Sequence, residues 1–235
     1  MLCDRCDRCD CPFCDCPASE SQTQCLVSDK AQSVKFRKGE MLFRYGELSS
    51  SLYSLKSGAV KIFCHNSDGL EQIVGLSRPG GLLVGLQSIN DKRHAYSASA
   101  ATAVDACRIN HKMLLARLRE QPELAMRVLE AMKAQLIHSR ALIQVMGHKC
   151  AATKIAAFIL LMTPKSERGN CRFKLPFSRL EIASLLGLAE ETVCRIMADM
   201  RRKGMIYAPR GSVEILDWDR IHVAAGDAAG RELVA

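Results

Sequence analysis

The chain has 235 residues, 48% of them hydrophobic and 25% charged, a balance close to the globular average that excludes a disordered chain. Lys and Arg outnumber Asp and Glu by 33 to 25, a formal charge of +8, which favours a polyanionic partner, though weakly. No apolar run approaches the ~20 residues of a membrane span. The start, Met1-Leu2-Cys3-Asp4-Arg5, has no apolar segment of the secretory kind, so a cytoplasmic protein with no membrane partner is expected.

Cysteine use is unusual. Seven of the twelve cysteines lie in the first 25 residues: Cys3, Cys6, Cys9, Cys11, Cys14, Cys16 and Cys25. In a reducing compartment a disulfide framework is disfavoured, and metal or iron–sulfur ligation is the better reading. Besides Leu2 and Phe13 the segment has almost nothing apolar to bury. Whatever its thiols bind must order it.

From residue 34 short apolar runs alternate with turn signals. The expected strands are Val34–Phe36, Met41–Phe43, Leu52–Leu55, Ala59–Phe63, Gln72–Leu76, Gly81–Val84, Tyr96–Ala100 and Asp105–Asn110. Lys38-Gly39, Tyr45-Gly46-Glu47, Ser57-Gly58, Asp68-Gly69 and Pro79-Gly80-Gly81 punctuate them. Such even spacing predicts a barrel or jelly roll.

The period then changes. Pro122 suits the first turn of a helix, and Leu129, Met132, Leu136, Ser139, Ile143 and Met146 follow at alternating spacings of three and four. That is a heptad seam. It reads either as a dimer interface or as the inner face of a helix packed on its own domain, and the narrow stripe favours the dimer. An apolar helix over Ala151–Leu161 and a strand-like piece at Arg172–Leu175 come next.

Between His148 and Ser212 there are twelve Lys or Arg against five Asp or Glu, so most of the net charge sits in this third of the chain. Ser178 with Glu181 makes a capping box. A helix Arg179–Leu186 should follow, stopped by Gly187, and a second helix should run from about Ala189 to Lys203 with Val193, Ile196, Met197 and Met200 on one face. Helix, short glycine turn, helix is the layout of a DNA-reading helix-turn-helix. Arg195 can grip a guanine edge and Glu191 can accept from cytosine; the plainer reading of that pair is a surface ion pair one helical turn apart. Arg201, Arg202, Lys203 and Arg210 supply charge for phosphates. Ile206-Tyr207 and Val213-Glu214-Ile215 read as a β-hairpin wing.

A jelly roll, a heptad helix and a winged helix-turn-helix in this order resemble the CRP/FNR family of transcription regulators over about residues 33–220. The motifs carrying the resemblance are Phe36-Arg37-Lys38-Gly39-Glu40, Ser51-Leu52-Tyr53-Ser54-Leu55-Lys56-Ser57-Gly58-Ala59-Val60-Lys61, Glu71-Gln72-Ile73-Val74-Gly75 and Pro79-Gly80-Gly81-Leu82-Leu83-Val84-Gly85. Glu191-Thr192-Val193-Cys194-Arg195 resembles the Glu-Thr-x-Ser-Arg recognition helix of the FNR branch, with Cys194 in place of its serine.

The resemblance implies an α+β chain in five parts. A cysteine-rich segment spans 1–32, a β jelly-roll sensor domain of the cyclic-nucleotide-binding type 33–120, and a long dimerisation helix 121–147. A winged helix-turn-helix spans 148–220 and a tail 221–235. It implies a homodimer on double-stranded DNA at a palindromic, TTGAT-like promoter site, with Glu191, Thr192, Cys194, Arg195, Arg201 and Arg202 contacting DNA, RNA polymerase as further partner, and no enzymatic activity. The Arg-Ser pair of the cyclic-nucleotide branch has no counterpart in Lys92-Arg93-His94-Ala95-Tyr96-Ser97, so no cyclic nucleotide is expected.

Cys107 falls where the oxygen-sensing branch carries its distant cluster ligand. Three N-terminal thiols with Cys107 can supply the four ligands of a [4Fe–4S] cluster. The spacing does not match the family's usual Cys-x2-Cys pattern with a third cysteine five to seven residues on. Cys14, Cys16 and Cys25 are the favoured set, with Cys6, Cys9 and Cys11 as alternatives, and zinc or a thiol switch as the alternative sensor. A thiol-redox or metal-storage protein is a reading from a different class. Nitrogen-fixation regulators of the family also have cysteine-rich N-termini, so microaerobic genes are the implied targets. Ser139 stands where the branch often places an acid, which implies easier dimerisation without the cluster.

Overall fold

The computed structural model describes residues 31–66, 69, 71–79, 83–89, 91–163, 172–209 and 211–226, and the backbone of 14–15 and 24–25. It divides into two compact units, 1–136 and 137–235.

In the first unit, β1 (Cys14–Asp15) and β2 (Gln24–Cys25) form a short antiparallel ribbon. The roll follows: β3 (Gln32–Phe36), β4 (Met41–Phe43), β5 (Ser51–Ser57), β6 (Val60–His65), β7 (Glu71–Ser77), β8 (Ser97–Ala100) and β9 (Val104–Asn110). One sheet has the order β3-β9-β5 and the other β4-β8-β6-β7, with every pairing antiparallel. Their inner faces share a core of Leu42, Phe43, Tyr53, Leu55, Val60, Val84, Ala98, Ala100, Val104 and Ala106. Phe36 meets Tyr53 edge-on at 5.8 Å, and the buried Tyr53 hydroxyl donates to the Leu42 carbonyl at 3.3 Å, satisfying a polar tip in an apolar setting.

Of the strand expected at Gly81–Val84, Gly81 and Leu82 lie outside the described residues. Val84 makes an isolated bridge to Tyr53, and the chain then turns at Gly85, with φ of 93°, into a 3-10 turn over Leu86–Ser88. A left-handed residue at that point ends extended pairing.

The roll closes tightly at Gly58, where φ is 86° and an added Cβ would lie 2.2 Å from the Ala103 carbonyl oxygen. The neighbouring Ala59 N–H donates to Thr102 Oγ1 at 2.9 Å.

Two helices leave the roll. α1 (His111–Glu120), which the sequence reading did not anticipate, is capped by Asn110, whose side chain accepts from Lys112 and Met113 N–H groups. α2 (Pro122–Gly147) is 26 residues long. Leu114 of α1 and Leu124 and Val128 of α2 are buried in one cluster with Leu52, Leu83, Leu86 and Ile109 of the roll.

The second unit holds α3 (Ala151–Met162), β10 (Arg172–Lys174), α4 (Arg179–Leu186), α5 (Glu190–Arg202), β11 (Ile206–Tyr207), β12 (Ser212–Ile215) and α6 (Trp218–Ala225). The three strands form a sheet of order β10-β12-β11. α6 was also unanticipated. It packs on α3 and buries Ile221 and Ala225, so the packed fold continues past residue 220. No helix among the described residues is long and apolar enough to cross a membrane.

Both Gly39 and Gly58 have positive φ, but a Cβ at Gly39 meets nothing within 4 Å. Gly39→Ala should therefore cost only the left-handed backbone penalty, about 1–2 kcal/mol. Gly58→Ala adds a clash with backbone and should cost at least about 3 kcal/mol. Urea unfolding of the two variants measures the difference.

Candidate nucleic-acid interface and thiol site

The recognition geometry begins with local capping. Ser178 Oγ accepts from the Glu181 N–H at 3.1 Å and Glu181 Oε2 accepts from the Ser178 N–H at 2.8 Å, so two otherwise orphaned donors are satisfied. At the other end of α4, Gly187 is left-handed with φ of 63°, and Lys154 Nζ donates to the Leu186 carbonyl at 3.1 Å. α4 packs on α5 by burying Ile182, Ala183, Leu185 and Leu186, while α5 buries Val193, Met197 and Met200. The half-turned helix pair is thus fixed by its own core.

The opposite face of α5 is open. Glu190, Glu191, Cys194, Arg195, Arg201 and Arg202 are exposed and Thr192 is half-buried. Glu191, Cys194 and Arg195 stand on adjacent turns of one face, as i, i+3 and i+4 neighbours do. Among the described residues no ion pair joins Glu191 to Arg195, so the plainer reading of that pair is not what the geometry shows. The two arginines at the end of the helix differ. Arg202 pairs with Asp199 at 3.0 Å and Lys203 pairs with the same carboxylate at 2.8 Å. The hydrogen bond from Lys203, against a smaller opposing effect of burial, holds the Asp199 carboxyl below its usual range. Arg201 takes no part in that clamp.

Arg179 was overlooked in the sequence. It opens α4, is half-buried, and its guanidinium donates to Met197 Sδ. Burial lowers its pKa from the ordinary arginine value; Cys194 acts in the opposite direction and Arg201 in the same one. A cation in a helix's first turn opposes the macrodipole. That was the available signal that this arginine is placed for something other than helix stability, and here it gathers with Arg201 beside the open face.

The wing forms as expected, with Ile206 opposite Ile215 and Tyr207 opposite Glu214. Tyr207 is exposed, and Arg210 lies outside the described residues.

On α2 the expected seam is solvent-facing throughout. Leu129, Met132, Leu136, Ile143 and Met146 are 38% to 68% exposed, and Ser139 is exposed too. The helix buries other positions instead: Leu124 and Val128, and further along Ala141, Leu142 and Val145.

Cys107 is half-buried on β9, in register with Ser33 of β3 and Ser54 of β5. Ala106 and Ile109 face the core. No cluster of three or more His, Cys, Asp or Glu able to hold a metal occurs among the described residues. A site at Cys107 thus needs donors from the N-terminal segment. Cys16, Cys6, Cys9 and Cys11 lie outside the described residues, but the ribbon pairs Cys14 directly with Cys25. Opposed Cα atoms in an antiparallel pair stand ~4.5–5.5 Å apart. Seven residues lie between Cys25 and Ser33, so the chain from one to the other reaches at most about 26–29 Å, and Ser33 is itself the register partner of Cys107. The donor set is all thiolate and within chain reach, so it fits an iron–sulfur cluster on Cys107 and three N-terminal cysteines. Such a group, when bound, supplies oxygen-sensitive redox chemistry.

Of the remaining cysteines, Cys64 is half-buried and Cys150 is exposed just before α3, where the Thr153 and Ala152 N–H groups hold its thiol below the ordinary value. Cys171 lies outside the described residues.

Comparison with known proteins follows the same lines. Residues 33–121 match the cyclic nucleotide-binding domain family and residues 153–222 the Crp-like helix-turn-helix domain family. The transcriptional activator Anr of Pseudomonas protegens is 33% identical, covering 81% of this chain and 79% of that protein. The nitrogen fixation regulation protein FixK of Bradyrhizobium diazoefficiens is 30% identical, covering 91% and 94%. The solved structure of FixK2 from Bradyrhizobium japonicum superposes with a TM-score of 0.72 at 24% identity, over 83% of this chain and 96% of that one. Such relatives are transcription regulators, not enzymes, and regulators of this kind bind DNA and act as dimers. The chain belongs to the CRP/FNR family of DNA-binding transcription regulators.

Proposed function

We propose that this protein is a cytoplasmic, homodimeric activator that responds to low oxygen through a [4Fe–4S] cluster and binds a palindromic, TTGAT-like promoter site. The observation that carries the reading is the open face of α5: Glu191, Cys194 and Arg195 stand exposed on a helix whose other face is locked into the core. Arg195 reads a guanine edge and Glu191 a cytosine amino group. Arg201 and the partly neutralised Arg202 grip phosphates. Thr192 and Cys194 line the same groove, where a thiol donates more weakly than the serine it replaces. The exposed seam of α2 pairs two copies, and two-fold symmetry sets the two recognition helices about 34–36 Å apart, one turn of DNA.

Cys107 with Cys14, Cys16 and Cys25 holds the cluster, and the ribbon pairing of Cys14 with Cys25 favours that set over one using Cys6, Cys9 or Cys11. RNA polymerase is the further partner, and microaerobic or nitrogen-fixation genes are the targets. A cyclic nucleotide is not the ligand: the Arg-Ser pair is missing, and Arg93, the arginine of that stretch, donates to the Gly46 carbonyl at 2.6 Å. Zinc or thiol chemistry at the same cysteines is the competing sensor. Membership of a regulator family sets the metal-storage reading aside.

Three measurements test this. Arg195→Ala should weaken binding to the matched site by about 1–3 kcal/mol and relax base preference. Arg201→Ala should weaken matched and unmatched DNA alike and lower the salt slope by about one. Fluorescence anisotropy at several salt concentrations separates the two; equal effects on all sequences from Arg195→Ala would remove the assigned reading.

Replacing Leu136 and Ile143 with Glu should yield a monomer in sedimentation equilibrium with unchanged circular dichroism, while metal-free wild type, with neutral Ser139 on the seam, should still dimerise at micromolar concentration. Protein purified without oxygen should carry about four iron and four sulfide per chain, with visible absorption bleached by air and absent from Cys107→Ser. Stoichiometric zinc instead would transfer the sensor to zinc chemistry and leave the DNA-binding role standing.

A further inference from the structure

Two histidines are buried where the roll meets α1. His94 and His111 are 5% and 4% exposed. The His94 ring stacks on Phe43 of β4, with centroids 3.8 Å apart and planes 9° from parallel. Its backbone is tied to the turn after β4: the His94 N–H donates to the Glu47 carbonyl and the Gly46 N–H donates to the His94 carbonyl, both at 2.9 Å. His111 is the first residue of α1, beside the Asn110 cap, and its N–H donates to the Ser50 carbonyl at 3.0 Å. Nδ1 of His94 is buried without a hydrogen-bond partner, and the ring nitrogens of His111 are buried with no well-formed one, the Ser51 backbone being the polar group that acts on that ring.

A neutral imidazole tolerates such a place far better than an imidazolium. Burial opposes the charge on each ring. A proton on one ring opposes a proton on the other, and charge on His111 would sit in the first turn of α1, where the helix dipole is already positive. The surrounding charges do not reverse this. Glu47 favours a charged His94 and the Ser51 backbone a charged His111, but burial is the larger influence at both, joined by His111 at His94, and both pKa values lie below the ordinary histidine value. The nearby cations are engaged elsewhere: Arg93 with the Gly46 carbonyl, and Arg108 Nε with Ser51 Oγ at 3.1 Å. Asp91 and Lys92 precede His94, Arg44 precedes the Gly46 turn, and Lys112 follows His111.

We propose that the His94–His111 pair is a proton-sensitive brace: while both rings are neutral they hold α1 on the roll, and acidification loosens α1 and, through the shared cluster of Ile109, Leu114, Leu124 and Val128, the start of α2. Acid stress would then act on this regulator by a route independent of its cysteines.

The sign follows from linkage. In the unfolded chain both histidines take up protons below about pH 6.5, whereas the native pair resists. The stabilisation is complete above that value and is lost as the pH falls below it, until the native rings also protonate. Within that window each ring raises the unfolding constant by up to about tenfold per pH unit, and the pair by up to about a hundredfold.

The test is urea unfolding of the full chain at pH 7.5 and 5.5, for wild type and for the double variant His94→Phe, His111→Phe, which retains the stack on Phe43. The wild type should lose about ten- to a hundredfold more in its folding constant over this interval than the variant. An identical pH response in the two proteins overturns the proposal. Should the double variant fail to fold, ring NMR of the wild type decides: two of the six histidines should stay neutral through pH 6, and titration of all six near the ordinary value overturns the brace. Neither readout involves DNA or metal, so its failure is separate from that of the proposed sensor.

Discussion

One helix carries two apolar faces, and its own chain covers only one. Leu124 and Val128 complete the cluster under the roll, and Ala141, Leu142 and Val145 are buried further on, while Leu129, Met132, Leu136, Ile143 and Met146 are left to water. Exposed apolar side chains at heptad spacing are an uncompensated cost for a solitary chain and the driving force for association of a pair. Everything downstream depends on that imbalance. A protein reading a two-fold symmetric target needs two recognition helices held at fixed separation, and pairing through the exposed stripe of α2, as proposed above, would supply both the association and its symmetry.

The DNA-reading half is built on a different plan, from local rules strong enough to act alone. The reciprocal Ser178–Glu181 bonds, the left-handed Gly187 and the Lys154 bond to the Leu186 carbonyl each satisfy a helix end. With α4 fixed, the buried positions of α5 determine which of its sides faces outward. Charge then refines that side: Asp199 pairs with Arg202 and Lys203, leaving Arg195 and Arg201 as exposed α5 cations outside that clamp.

These two plans explain what was legible from the residues. α4 was readable to the residue because its start and stop are encoded in single side chains. The helix α2 and its apolar stripe were readable because a heptad pattern survives any detail of packing. α1 was passed over, although Asn110 is a cap and Met113, Leu114 and Leu118 are apolar, because its ten residues carry no glycine or proline punctuation. α6 was missed for a related reason: Ile221 and Ala225 become buried only through contact with α3, which is distant in sequence. Gly81–Val84 resembled a strand by composition, and its described end, Val84, does bridge Tyr53 before Gly85 turns the chain away. Among the site residues the helical ones could be placed from periodicity, whereas Arg179 and the buried histidines depend on tertiary neighbours. The opposition of Cys14 and Cys25 depends on a strand register that no local pattern announces.

The division of labour within α5 has an evolutionary consequence. Val193, Met197 and Met200 hold the helix in place, and Glu191, Cys194 and Arg195 face outward; no residue belongs to both sets. If the outward set reads bases as proposed, stability and base preference are written in separate letters of the same short segment. On that assignment a lineage could exchange one promoter vocabulary for another by substitutions that the fold does not register, and copies of such a gene could diverge into regulators of different operons while keeping one scaffold.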